Sequence, residues 1–460
     1  MPLDPQVLDY YRSHQTDFLE GLKDLLRIPS ISALSEHKAD VLEAANFLLS
    51  DLNAMGLEGV RLVEGSGHPL VYGEWLNAPG KPTLLIYGHY DVQPPEPLDE
   101  WVSPPFDPTV RGDNIYARGA VDDKGQTWIL LKALEGHLKA DGRLPINVKV
   151  LIEGEEEVDG GMIAAYVEER GKDLGADAAL ICDTEMFAPG LPTITTGLRG
   201  IIYSEIEVQG ARTDLHSGLY GGAAPNPLQA MAEILCGLKD SEGRILVPGV
   251  YEAVAEPSDA EKEAWASLPF DEGEMLANEV GSTALTGEPG RTALERMWSR
   301  PTLEVHGIRG GFVGEGAKTV IPAKAVAKVS MRLVPDMDAA ATAQALVDRV
   351  KALEPAGCRV STRILAASAA SLTPTDDPFV VKAAAALQES FGKPTVYIRS
   401  GGSIPVVGLF QRFAGIPSVL MGFGLPDDNL HAPNEKFHIP NLYAGIEAVG
   451  RYLALLGEDS

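Results

Sequence analysis

The run Glu153-Gly154-Glu155-Glu156-Glu157 places four carboxylates within five residues, directly after the apolar segment Ile146–Ile152. Charge of one sign concentrated at a strand end repels itself unless a cation sits beside it. Taken alone, such a run is more often a solvated turn, so its meaning depends on partners elsewhere in the chain. Those partners recur where other apolar runs end. His89 and Asp91 follow Thr83–Tyr87, and Asp183 follows Ala178–Cys182. Asp122-Asp123 and His431 lie in glycine-containing loops, His431 ten residues past Met421.

Two histidines with several carboxylates suit Zn²⁺, Mn²⁺ or Co²⁺, and a ligand set without thiolates points to hydrolysis and away from a structural zinc. One carboxylate shared by two ions would hold them about 3.5–4 Å apart, the arrangement of metal-assisted hydrolysis. Of two adjacent glutamates, one can bind a metal while the other moves protons.

The elements that must position these groups alternate between strand and helix. Helical spacing covers Val7–Ile28, stopped by Pro29, and Lys38–Met55, closed by Gly56. Strands are expected at Val60–Val63, Leu70–Trp75, Thr83–Tyr87, Ile146–Ile152 and Ala178–Cys182, with a helix at Gln126–Leu138. In an open α/β sheet, ligands bind beyond the carboxyl ends of the strands, where these candidates fall. The character changes near Arg199. Strand Ile201–Val208, helix Pro227–Leu238, strand Val326–Leu333, helix Ala339–Leu353 and strand Arg359–Ile364 form a smaller α+β unit, inserted before the α/β rhythm returns at Pro378. Residues 241–300 show little periodicity.

The 460-residue chain carries a net charge of −27, which disfavours nucleic acid and anionic membrane as partners. Its three cysteines form no CxxC pair, and no apolar run reaches the ~18–20 residues of a membrane span. Met1–Pro5 lacks the basic and apolar regions of a signal peptide, so a cytoplasmic protein is expected.

Several motifs are collinear with a known family. Gly88-His89-Tyr90-Asp91-Val92, Arg118-Gly119-Ala120-Val121-Asp122-Asp123-Lys124-Gly125, Glu153–Glu157, Cys182-Asp183 and Asn429–Glu435 together resemble the M20 metallopeptidases, in particular the carnosinase and cytosolic nonspecific dipeptidase branch. The resemblance implies an αβα-sandwich catalytic domain of the zinc-exopeptidase kind (residues 1–205 and 378–460) with an inserted ferredoxin-like lid and dimerisation domain (206–377). It implies that His89 and Asp183 hold one metal, Glu157 and His431 the other, that Asp122 bridges the two, and that the Asp122–Asp123 peptide is typically cis. Asp91 would orient His89. Glu156 would be the general base acting on a metal-bridging water.

In the inserted unit, Asp214-Leu215-His216-Ser217-Gly218 resembles the lid motif whose histidine reaches the partner subunit's site and stabilises an oxyanion there. Gly316–Pro322, including Thr319, and Arg332 resemble the part that grips a substrate carboxylate, and Gly401–Pro405 the segment that closes over substrate, with Ser403 the contact. Strand alternation independently turns Arg332 away from the apolar face of Val326–Leu333. The implied protein is a homodimeric two-metal exopeptidase acting on dipeptides with a free C-terminal carboxylate. An N-acyl amino acid hydrolase of the same family is the nearest alternative, and a catalytically silent metal- or peptide-binding protein an alternative of another class.

Overall fold

The computed structural model describes residues 3–158 and 160–458. Asp159, within the acidic stretch, lies outside them, as do Met1 and Pro2 of the N-terminal segment read above. The chain divides into two compact units, one of Met1–Thr196, Thr373–Ile398 and Leu409–Ser460, the other of Gly197–Leu372 and Arg399–Gly408.

The larger unit is built on a mixed sheet. Asn147–Glu153, Thr83–His89, Ala178–Ile181 and Ser418–Leu420 run parallel in that order. Leu70–Trp75 and Glu58–Val63 extend one side antiparallel. The parallel strands carry apolar residues on both faces because both faces are covered. Leu84 and Ile86 join a core shared with helices Lys38–Met55, Lys124–Ala140 and Ile439–Leu456. On the other face the Tyr87 ring meets Phe410 edge-on, centroids 5.7 Å apart. The result is an αβα layering.

Helix Lys124–Ala140 is buried around almost its whole circumference, the polar side chains of Gln126, Lys132 and His137 included. Its first residue, Lys124, is fully buried, and its Nζ donates to the carbonyls of Leu25 (3.1 Å) and Ile28 (2.6 Å). Burial pulls its pKa down to about 7. Lys38–Met55 ends at Gly56 in the left-handed region (φ 103°), where glycine carries no Cβ penalty. The single helix expected over Val7–Ile28 is instead two, Pro5–Ser13 and Gln15–Leu26, broken at His14. The hydroxyl of Ser13 donates to the carbonyls of Asp9 (2.8 Å) and Tyr10 (3.2 Å), and such local side-chain bonds compete with helix continuation.

The smaller unit holds an antiparallel sheet in the order Thr302–Gly310, Lys324–Leu333, Gly200–Gln209, Arg359–Ser368. Its core contains Ile202, Ile206, Val329, Met331 and residues of helices Pro227–Cys236 and Ala339–Ala352. Strand–helix–strand–strand–helix–strand with the first and third strands central is the ferredoxin-like arrangement. The strand Thr302–Gly310 escapes sequence reading because it is an exposed edge with no alternation, its register shifted between Val305 and Gly307. Residues 241–300, left unassigned above, contain helices Asp259–Ala266 and Ala293–Trp298.

Candidate active site

The site is assembled at the carboxyl ends of the parallel strands in the larger unit. Thr83–His89 delivers His89, whose side chain is fully buried. The packing before it favours glycine, since a Cβ on Gly88 would lie 2.0 Å from Thr127 Oγ1. Asp122 arrives on the loop that precedes helix Lys124–Ala140, through a cis Asp122–Asp123 peptide. The same loop is held by Glu435. One carboxylate oxygen of Glu435 accepts from Arg118 Nη1 (2.7 Å) and Gly119 N (2.9 Å), the other from the amides of Val121 (3.0 Å) and Asp122 (3.2 Å). Glu435 is four residues beyond His431, so one buried side chain ties the two loops together. The following strand, Lys436–His438, pairs with Asn114–Tyr116 and fixes the same juxtaposition. His431 itself sits in the left-handed region (φ 57°).

These elements bring five predicted ligands into two groups that share Asp122: His89, Asp122 and Asp183, and Asp122, Glu157 and His431. Within each group the ligand atoms lie within 4.8 Å of one another. Asp122 faces the groups with different oxygens, Oδ1 at 3.1 Å from His89 Nε2 and Oδ2 at 2.8 Å from His431 Nε2. Asp183 Oδ2 lies 4.0 Å from His89 Nε2, and Glu157 Oε2 3.3 Å from His431 Nε2.

Asp91 connects both groups from behind. Its Oδ1 lies 3.4 Å from His89 Nδ1 and accepts the amide of Glu156 (3.2 Å), while Oδ2 accepts the amide of Glu157 (3.1 Å) and the Ser32 hydroxyl (2.6 Å). His89 Nδ1 also lies 3.1 Å from the Asp91 carbonyl, so Asp91 faces the imidazole with backbone and side chain while its carboxylate accepts from the acidic turn. Gln93 Nε2 donates to Glu157 Oε2 (2.9 Å). Sequence reasoning assigned no role to Glu435, Gln93 or Ser32. Glu435 was within reach, as it closes the Asn429–Glu435 motif; Ser32 and Gln93 had no signal beyond a polar side chain.

The electrostatics follow from crowding. Burial pushes Glu156 up to about 7, with Glu157, Asp122 and Asp91 adding repulsion and His89 opposing it. Burial and the charges of Asp123 and Asp122 hold Asp183 well above the usual carboxylate range. Asp122 runs the other way: burial alone would raise it, but its bonds to His431 and His89 depress it. Burial would lower His89, yet Asp122 and Asp91 raise it well above an ordinary imidazole. His431 is raised to about 10 by Asp122 and Glu157. Buried carboxylates outnumber imidazoles here, and two mixed nitrogen–oxygen donor sets sharing one carboxylate fit a pair of divalent cations.

The remaining predicted residues lie in the smaller unit. His216 is exposed and stands opposite Val320 in a short antiparallel pair. Its Nδ1 accepts from Gly218 N (3.0 Å), which leaves Nε2 to carry the proton of the neutral ring. Thr319 is adjacent, its carbonyl accepting from Ser217 N at 3.1 Å. Arg332 and Ser403 are in direct contact, Nη1 to Oγ 2.7 Å.

Residues 85–455 match Peptidase family M20/M25/M40. The chain is 34% identical to the Cys-Gly metallodipeptidase DUG1 of Candida albicans, over 100% of this chain and 98% of that one. It is 30% identical to the Beta-Ala-His dipeptidase of Homo sapiens, over 96% and 90%. The solved M20 family metallo-carboxypeptidase Sso-CP2 from Sulfolobus solfataricus superposes with a TM-score of 0.85 at 33% identity, over 96% of this chain and 99% of that one. The match over most of the chain, together with the paired ligand groups, makes the protein a metallopeptidase, and the chain belongs to peptidase family M20/M25/M40.

Proposed function

We propose that this metallopeptidase is an exopeptidase that hydrolyses dipeptides carrying a free C-terminal carboxylate. The observation that carries the reading is Asp122, which offers one oxygen to each of two ligand groups beside the half-buried Glu156. The names of the relatives, a Cys-Gly and a Beta-Ala-His dipeptidase, support a dipeptide substrate. His89 and Asp183 would hold one ion, Glu157 and His431 the other, with Asp122 between them. Zn²⁺ or Mn²⁺ suits these donors, Co²⁺ also. Such ions, when bound, lower the pKa of water and polarise a carbonyl.

The chain's own groups do the rest. Glu156, raised to about 7 by burial, is suited to accept a proton from the attacking water and return it to the leaving amine at neutral pH. Asp91 holds His89 and the Glu156–Glu157 turn in register. His216, supplied by a second copy of the chain in a homodimer, donates from Nε2 to the oxyanion of the tetrahedral intermediate. Arg332 grips the substrate carboxylate, with Ser403 and Thr319 as further substrate contacts. A cytoplasmic location is part of this reading, and the net charge of −27 favours neither nucleic acid nor an anionic membrane as a partner.

The reading is tested with metal-reconstituted protein against dipeptides, the same dipeptides as C-terminal amides, and N-acyl amino acids. Turnover of the dipeptides alone supports it. Preferential turnover of N-acyl amino acids would make the protein an amidohydrolase instead.

A further inference from the structure

Residues 241–300 are the part of the chain with least visible purpose, yet one of their helices is wired to the loop that carries Ser403. Helix Asp259–Ala266 opens with a capping box, in which Glu261 Oε2 accepts from Ser258 N (2.9 Å) and Oγ (3.0 Å). The other oxygen of Glu261 accepts from Arg399, at 2.5 Å from Nη2 and 3.1 Å from Nε. Arg399 is 5% exposed, its guanidinium lies 5.6 Å from the ring centre of Trp265, and its stem rests against Gly197, where a Cβ would approach to 3.2 Å. Trp265 is itself fixed edge-on against Trp298 at 5.3 Å.

Arg399 lies in the strand Val396–Ser400, which leads into a short loop whose backbone is pinned by Arg199. The Gly401 carbonyl accepts from Arg199 Nε and the Gly402 carbonyl from Arg199 N, both at 3.1 Å. The loop ends at Ser403, whose hydroxyl donates to the Arg199 carbonyl (2.6 Å) and accepts from Arg332 Nη1 (2.7 Å). Contacts at both ends and the covalent chain from Arg399 to Ser403 between them thus connect Glu261 to Arg332. A part-buried, charge-assisted Glu–Arg contact is directional, so it can hold a glycine-rich loop that would otherwise sample many conformations.

From this we infer that Glu261 and Arg399 are positioning residues, which hold Ser403 where it fixes the guanidinium of Arg332 and so set the affinity for the substrate carboxylate. This rests on the reading of Arg332 as the carboxylate grip. The helix in residues 241–300 thereby gains a function: it anchors the recognition loop without touching substrate.

The test uses the metal-loaded enzyme and Glu261→Gln. Glutamine at the third helical position preserves a capping box, so the substitution removes the charge presented to Arg399 and spares the helix start. For the dipeptide turned over fastest, KM should rise roughly three- to tenfold with kcat within about twofold. The inhibition constant of the matching dipeptide amide, which has no carboxylate to grip, should not move. Ser403→Ala should raise KM similarly, and the double variant should add little to the larger single effect. Unchanged KM in Glu261→Gln or in Ser403→Ala, equal losses for dipeptide and amide, or additive effects in the double variant would each overturn the inference. Arg332→Met separates the two layers. If it raises KM for the dipeptide and Glu261→Gln does not, the grip stands and the positioning role falls. If Arg332→Met leaves KM unchanged, the grip falls and the positioning role with it.

Discussion

His431 Nε2 lies 2.8 Å from Asp122 Oδ2, a contact between residues 309 positions apart that ties His431 to the carboxylate common to both ligand groups. The contact, with Glu157, holds the His431 pKa at about 10, so in the metal-free protein this imidazole is charged at neutral pH. A metal takes the neutral ring, and uptake near pH 7 should therefore expel a proton. The sign follows. The raised pKa stabilises the metal-free fold fully below about pH 6.5, the ordinary imidazole value, and that contribution fades as pH rises through about 10, while metal affinity grows over the same window. Calorimetric titration of metal into metal-free protein, in buffers of different ionisation enthalpy, should reveal proton release. Buffer-independent heats would contradict it.

Glu435 is the support on which Asp122 depends. Glu435→Gln leaves Arg118, 1% exposed, without its carboxylate partner. Removing one member of a buried pair costs about 3–5 kcal/mol, so the unfolding free energy should fall by that amount, read as a lower denaturant midpoint at unchanged slope. Metal affinity should fall as well, because the amides of Val121 and Asp122 lose a charged acceptor. A variant of unaltered stability would show the pair to be dispensable.

Gly88→Ala tests the tight packing beneath His89. The added methyl meets Thr127 Oγ1 at 2.0 Å and Asp123 Oδ2 at 3.0 Å. Such overpacking costs about 1–3 kcal/mol and should displace His89, lowering metal affinity. Thr127→Ala removes the nearer clash, so the double variant should recover part of the stability. Full tolerance of Gly88→Ala, measured by unfolding and metal content, would argue that the strand end yields freely.

The role of His216 in trans is open to complementation. His216→Ala and Glu156→Ala proteins should each be inactive. Mixed under conditions where subunits exchange, they should regain activity, since a mixed dimer holds one site with both residues intact. Demonstrated exchange without recovery would remove the partner subunit from the mechanism.

Much of the site was legible because its residues stand where buried strands end, so that apolar runs of both-faces character point directly at His89, the acidic run and Asp183. The ligand loops were legible through glycines and paired acids. What escaped was support that is local only in space. Nothing in the identity of Ser32 or Gln93 marks it as facing Asp91 or Glu157. Ser258-x-x-Glu261 and Thr292-x-x-Glu295 are capping-box patterns that do mark the helices of residues 241–300, but the acid-rich surroundings hid them. The edge strand Thr302–Gly310 carries no alternation because neither face of it is fully buried. Residues 399–408 belong to the smaller unit although they follow the return to α/β rhythm, a crossing that leaves no mark in composition.

The division of labour within the acidic run is the centre of the account, and metal content measured beside turnover tests it most directly. Glu156→Ala should keep metal close to that of the unmutated protein while kcat falls by at least about 10²–10⁴-fold. Asp122→Ala, which removes the carboxylate shared by both ligand groups, should lose metal and activity together. Substantial kcat in Glu156→Ala, or full metal content in Asp122→Ala, would contradict the assignment.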